Sequence, residues 1–255
     1  MKIITFCNLN YIPVTQNWLN FIMKLDILKS DILIVTLDKE SEAYFDNFNT
    51  LFRPVDLLGN DLSALWVHRI NIFDEILRDG NDIIHSDSDA IWLKNPINFV
   101  KDCNSEIVFS QGTVWPLDVY KKHEIVLCCG FFYLKSSENT FEFLKKLKER
   151  VVFDKDDQIS VNRLISQSIN NWNAYNPYYI EFNKYQFKCS EKTMIAKTIF
   201  KNDDNFNISL LPHIYFPRII KDLKFINQTY VAHPLSGKNL KSKIAILSNL
   251  GLWSL

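Results

Sequence analysis

Short apolar runs alternate along this chain with segments of helical period, and that alternation limits how it can fold more than any other feature. Lys2–Cys7 and Ile32–Thr36 read as strands, with helices over 14–25 and 40–48. This is the βαβ rhythm of a parallel sheet. Residues 65–78 carry apolar side chains at Leu65, Ile72, Phe73, Ile76 and Leu77, a helix-period stripe closed by Asp79-Gly80-Asn81. An apolar run over 82–86 then ends in Asp87-Ser88-Asp89. Strands over 107–110 and 128–134 and helices over 138–151 and 158–168 continue the pattern. Residues 170–184, dense in Asn and Tyr, lack a period and read as loop with short strands. With no repeat or low-complexity linker, the pattern predicts one α/β domain over 1–255. It is a Rossmann-like, largely parallel sheet flanked by helices, binding ligands beyond the carboxyl ends of its strands.

Asp87 and Asp89 stand at such an end. Two carboxylates at i and i+2 can turn to one side of an extended backbone, where they form a hard, oxygen-rich site suited to Mg²⁺ or Mn²⁺. The alternative for an isolated Asp-x-Asp is a solvated acidic turn. A second cluster, His233-Pro234-Leu235-Ser236-Gly237-Lys238, follows the strand-like Thr229-Tyr230-Val231. His233 suits a third metal ligand or a structural histidine. Gly237 allows close approach of backbone to a phosphate, and the Lys238 ammonium can neutralise charge on a leaving diphosphate.

Composition sets outer limits. A chain of 255 residues, 47% hydrophobic and 14% aromatic, can bury a large core and is not a disordered segment. Twenty-nine basic residues balance 29 acidic ones, so the charge footprint of a nucleic-acid binder is missing. Five cysteines without a Cys-x-x-Cys pair argue against a zinc ribbon and a disulfide framework, and for a reducing compartment. The first residues read as a buried strand and not a leader, and no stretch reaches the roughly 18 apolar residues of a membrane span. A cytoplasmic protein, soluble or peripheral to a membrane, is expected.

The run from Arg69 through Phe73, Ile76-Leu77, Gly80, Ile83-Ile84, Asp87-Ser88-Asp89, Ala90 and Trp92 to Pro96 resembles the nucleotide-diphospho-sugar transferase family. That family includes plant rhamnogalacturonan xylosyltransferases, and the chain is more loosely similar to glycogenin-like transferases. Gly130-Phe131-Phe132, Asp157-Gln158 with Asn162, and His233 with Gly237 and Lys238 extend the resemblance. It implies a type-A glycosyltransferase fold whose N-terminal half binds nucleotide and whose later half shapes the acceptor site. It also implies a hexosyl- or pentosyltransferase that moves a sugar from a nucleotide diphosphate, expected to be UDP, to a hydroxyl of a glycan or lipid-linked glycan, with retention and with Mn²⁺ or Mg²⁺.

The same resemblance assigns Asp87, Asp89 and His233 to the metal, and Arg69, Asp87, Ser88, Gly237 and Lys238 to the nucleotide diphosphate. It sets Asp157 and Gln158 on the catalytic, acceptor side, and Gly130 by the donor sugar; Gln111 joins the acceptor side because an amide can hydrogen-bond sugar hydroxyls, although Asp is commoner at that position in the family. Arg69 read alone is equally a solvated helix arginine, and Asp157 equally a helix cap. Trp115 offers an aromatic face to a sugar. His85 reads as packing beside the site, and Cys128 and Cys129 as buried hydrophobes, since no basic neighbour is evident to lower a thiol pKa. Two other classes stay open. A carbohydrate- or nucleotide-binding protein on a decayed transferase fold would lose ligands that are present here. A sugar nucleotidyltransferase would carry a glycine-rich phosphate loop after its first strand, whereas Cys7-Asn8-Leu9-Asn10-Tyr11 has no glycine.

Overall fold

The structure, a computed structural model, describes residues 1–55, 63–201, 204–220, 223–237 and 239–255. Along the first half run β1 (Lys2–Cys7), α1 (Ile12–Ile22), β2 (Ile32–Thr36), α2 (Lys39–Tyr44), β3 (Thr50–Phe52), α3 (Ser63–Arg78), β4 (Ile83–Ser86), β5 (Ile91–Trp92), α4 (Ile97–Asp102) and β6 (Ile107–Gln111). Then follow α5 (Leu117–His123), β7 (Leu127–Leu134), α6 (Glu138–Asp154), α7 (Asp157–Ser168), β8 (Pro177–Phe182), β9 (Tyr185–Ser190), β10 (Met194–Lys201), β11 (Asp204–Leu210), β12 (Val231–Ala232) and α8 (Leu240–Asn249).

Eight strands form the central sheet in the order β10-β11-β6-β7-β4-β1-β2-β3. Only β7 and β10 run against the others. The chain winds outward from β1 to β3 and returns to the other side of β1 as β4, so the strand order reverses between β1 and β4. Ligands of open α/β sheets bind at that reversal, and β4 leads directly into Asp87.

Alternation along the strands divides the core into two layers. Ile3, Ile32 and Ile34 face Trp18, Leu19 and Ile22 of α1 together with Trp92, Phe216 and Leu247. Ile4, Leu33 and Val35 face the layer that contains Phe73 and Leu77 of α3, Leu144 and Leu147 of α6 and Val161 of α7. Among the described residues, no helix is long and apolar enough to cross a membrane.

Most elements lie where the hydrophobic pattern puts them, and their ends differ for local reasons. α1 starts two residues before the expected 14, with Pro13 in its first turn. α2 is already capped by Asp38, whose carboxylate accepts from Ser41 N, and stops at Tyr44. The aperiodic stretch over 170–184 contains β8, which pairs with β9 as an antiparallel hairpin outside the main sheet.

Candidate active site

Two pairings build the site. β4 runs antiparallel to β7 with Ser86 opposite Phe131, so the next residue, Asp87, lies beside Gly130 and donates its N–H to the Gly130 carbonyl at 2.7 Å. β5 pairs antiparallel with β12, Ala232 opposite Ile91. His233 directly follows this two-stranded ribbon and Asp89 lies two residues before Ile91 at the same end, so they meet although they are far apart in sequence. The His233 Nε2 lies 3.3 Å from Asp89 Oδ1 and 4.0 Å from Asp87 Oδ2. One donor atom from each of the three residues falls within 4.8 Å of the others.

Gly130 has no side chain where those groups need space. A Cβ there would lie 2.6 Å from His233 Nδ1 and 2.7 Å from Asp87 Oδ2, closer than packed atoms tolerate. The pairing of β7 with β6 shifts register between Phe109 and Ser110, and the Ser110 hydroxyl donates to the Phe131 carbonyl at 3.0 Å. A bulge of this kind re-aims the residues around it, here Cys129, Gly130 and Phe131.

Charged groups surround the cluster. Arg69 is buried on α3, with its guanidinium 5.0 Å from the Trp66 ring and 5.1 Å from Phe6. It donates to His85 Nε2 at 2.7 Å and to Asp157 Oδ2 at 3.2 Å, and stands 4.0 Å from Asp87 Oδ1. It therefore faces the site and not solvent. His85 packs among Phe6, Phe73 and Phe132; burial and then Arg69 press it down to about 4, against the pull of Asp87. Burial would raise Asp87, but His85, Arg69 and His233 hold it well below the usual carboxylate range. Asp89 is likewise held at about 2 against burial by His233 and Lys243. Burial and Arg218 oppose a charge on His233, yet Asp89 and Cys128 raise it to about 9.

Asp156 and Asp157 divide two roles between them. Asp156 is the cap of α7, accepting from Ile159 N at 2.8 Å. Asp157 turns to Arg69 with one oxygen and accepts from Gln158 N with the other at 2.8 Å. Burial lifts it to about 6, with Arg69 opposing and Asp156 and Asp87 adding to the rise. Gln158 donates to the carbonyl of the exposed Trp115 at 3.0 Å. Asp87, Asp89, Asp157, Gln158, Arg69 and His233 line one cavity of about 180 Å³, joined by Trp66, Arg218, Pro234, Ser236 and Lys243.

Other expected residues lie elsewhere. The Ser88 hydroxyl is turned inward to Thr5 and Thr15 at 3.2 and 2.9 Å, away from the cavity. Gln111 is fully buried and donates to the Lys188 carbonyl at 2.6 Å, so its amide is not presented to a substrate in the cavity. Asn162 ties α7 to β7 through Leu127 N and O at 2.7 and 3.0 Å. Gly237 packs against Ser242, where a Cβ would come within 2.6 Å of the hydroxyl. Lys238 lies outside the described residues.

Cys128 corrects the expectation of an inert thiol. Its Sγ is 3.6 Å from His233 Nδ1, and Arg218 and His233 overcome burial to bring it down to about 7. Cys129 is raised well above the ordinary thiol value by burial. The residues missed in the sequence are Lys243 and Arg218. Lys243, in the first turns of α8 behind the Asn239 cap, contacts Asp89 Oδ2. Arg218 donates to the His233 carbonyl at 3.0 Å. The capping pattern Asn239 to Ser242 was the available signal for where Lys243 falls on a helix; nothing in the sequence marks Arg218.

Two carboxylates and an imidazole, with a glycine keeping the space between them clear, suit a divalent cation with hard ligands. The donor set fits Mn²⁺ or Mg²⁺.

Known proteins resemble this chain in sequence and in fold. The UDP-galactose:fucoside alpha-3-galactosyltransferase of Dictyostelium discoideum is 24% identical over an alignment of 206 residues, which covers 66% of this chain and 32% of that protein. Arabinosyltransferase XEG113 of Arabidopsis thaliana is 24% identical over 190 residues, covering 66% and 28%. The chain thus spans about a third of the length of these relatives. The solved galactosyltransferase LgtC, in complex with donor and acceptor sugar analogs, superimposes with a TM-score of 0.53 at 10% identity over 100% of this chain and 97% of that one. That likeness gives the type-A glycosyltransferase fold. The family described as nucleotide-diphospho-sugar transferase matches residues 27–247, nearly the whole of the sheet and the cavity at its edge, and the chain belongs to it.

Proposed function

We propose that this protein is a metal-dependent glycosyltransferase that moves a sugar from a nucleotide diphosphate, UDP in particular, to a hydroxyl of a glycan acceptor with retention at the sugar carbon. The observation that carries the reading is the convergence of Asp87, Asp89 and His233 at the strand-order reversal. The name of the Dictyostelium relative gives UDP-galactose as its donor, which favours UDP here.

In this reading Asp87, Asp89 and His233 would hold a divalent cation, which would supply Lewis-acid stabilisation to the leaving diphosphate. The Lys243 ammonium, paired with Asp89 in this structure, would add positive charge for the diphosphate. Arg69 fixes the carboxylates of Asp87 and Asp157 relative to each other. The N-terminal half, with β1, β4 and α3, forms the donor side; Asp157 and Gln158 belong to the acceptor side.

Calorimetric titration of UDP with Mn²⁺, beside a transfer assay, tests this. Asp89→Ala is expected to abolish Mn²⁺-dependent UDP binding with the fold intact. Asp157→Asn is expected to retain UDP affinity and slow donor hydrolysis while transfer falls by about 100-fold, the scale of a lost polar group in an active site. Turnover that persists in excess EDTA would exclude the metal-dependent mechanism.

A further inference from the structure

Beyond the donor cavity the surface opens into two larger hollows. Arg218 and Pro234 line both the 180 Å³ cavity and a neighbouring one of about 450 Å³. Glu181, Ile219 and Ile220 continue from that hollow into a third of about 670 Å³, beneath the β8–β9 hairpin. The three therefore follow one another along the segment that carries Arg218, Ile219 and Ile220. The two outer hollows are within the size range of small-molecule sites.

Their walls differ from those of the donor cavity. Isoleucines 180, 214, 219, 220 and 226 face the 670 Å³ hollow, and Leu235, Ile246 and Leu250 the intermediate one. A sugar-binding groove presents donors and acceptors that are free for hydroxyls, because polar groups buried without partners cost binding energy. Here several of the polar groups nearby are already engaged with the protein. The Tyr179 hydroxyl donates to Glu124 at 3.2 Å, the Gln186 amide to Glu181 at 3.4 Å and the Asn176 amide to Glu191 at 3.0 Å. His213 Nε2 accepts the N–H groups of Arg218 and Ile219 at 3.1 and 3.2 Å. Isoleucines and leucines make up the largest part of the wall, beside the Tyr178, Tyr179 and Phe182 rings and the Glu181 and Glu191 carboxylates.

We infer that the outer hollows seat an aliphatic aglycone, so that the acceptor is a glycolipid whose sugar reaches the donor cavity past Arg218 and Pro234. This rests on the reading of the Asp87, Asp89 and His233 cavity as the site of transfer, and it adds the class of acceptor. An aliphatic occupant, unlike a glycan, needs no hydrogen-bonding groups and is favoured by area alone.

The test is titration of the full chain with a series of alkyl β-D-galactosides from methyl to decyl, each below its micellar concentration, alongside UDP with Mn²⁺. The expected result is one site per chain, tightening by up to about fourfold per added methylene, the equivalent of about 0.8 kcal/mol, until the hollow is filled. Ile220→Asp should flatten that dependence and leave UDP binding unchanged; the wild-type series decides the matter even if this variant folds poorly. Affinity independent of chain length, or a tightening with unsubstituted oligosaccharides of increasing length instead, overturns the inference. If UDP with Mn²⁺ fails to bind while the alkyl series behaves as expected, the donor-site reading fails and the apolar site stands.

Discussion

At Gly130 one added carbon would fall between the Asp87 carboxylate and the His233 ring. Gly130→Ala is therefore expected to lower stability by about 1–3 kcal/mol through overpacking and to weaken Mn²⁺-dependent UDP binding by at least about tenfold, measured by denaturant unfolding and calorimetry. Native metal affinity in this variant would show that the cluster does not need the space. Lys243 gives a complementary test, since its ammonium neutralises the nearly inaccessible Asp89 carboxylate in the absence of metal. Lys243→Met leaves that carboxylate to His233 alone, and Mn²⁺ should then raise the melting temperature of the variant more than that of the wild type. An equal rise in both would mean that ammonium and metal do not compete for Asp89.

Among the elements, the segment from Leu211 to Ile220 depends on His213. Its imidazole is buried against Phe187, with ring centroids 5.6 Å apart, and accepts two backbone N–H groups, so it is needed neutral. Burial and Arg218 depress it to about 3. Below about 6.5 the unfolded chain takes up a proton that the folded chain refuses, so stability present above 6.5 is lost as the pH falls toward 3, by up to about 1.4 kcal/mol per pH unit. Urea unfolding of wild type and His213→Gln between pH 7 and 4.5 checks this; the variant should show the shallower slope, and parallel slopes would remove His213 as the cause. Elements of this kind were the least legible in the sequence. β1, β2, α3, β4 and β7 announce themselves because apolar period 2 or 3.6 reflects burial in one core. β8 and β9 have a mixed, half-exposed pattern, and β5 and β12 are only two residues each. A pair that short becomes a strand only through its partner.

For the molecule as a whole, the proposed metal and nucleotide would link binding to folding. UDP with Mn²⁺ at about 100 times its Kd should stabilise the protein by about 2.7 kcal/mol, a rise of about 5–10 °C in Tm for a chain of this size, reversed by EDTA. The full rise with UDP alone would remove the metal from donor binding. Of the candidate site, Asp87, Asp89, Arg69, Asp157 and His233 were named through the resemblance to the transferase family, since each read alone has a structural use as a turn, helix-surface, capping or packing residue. Lys243 and Arg218 were not, because their placement follows from how α8 and the segment after β11 dock, a long-range outcome that no local pattern records. Ser88 and Gln111 sit at the right positions along the chain with their side chains turned inward.

The short ribbon of β5 and β12 also fixes an order of events in time. Asp87 and Asp89 emerge early from the chain, but the imidazole that completes the cluster waits on a pairing between Trp92 and Val231. Contacts so distant in sequence form late, because closing a long loop costs entropy before any contact repays it. A chain that has not made this pairing therefore holds two carboxylates without the imidazole of the cluster. With Mn²⁺ held as proposed, tight binding of that ion would report a late step of folding.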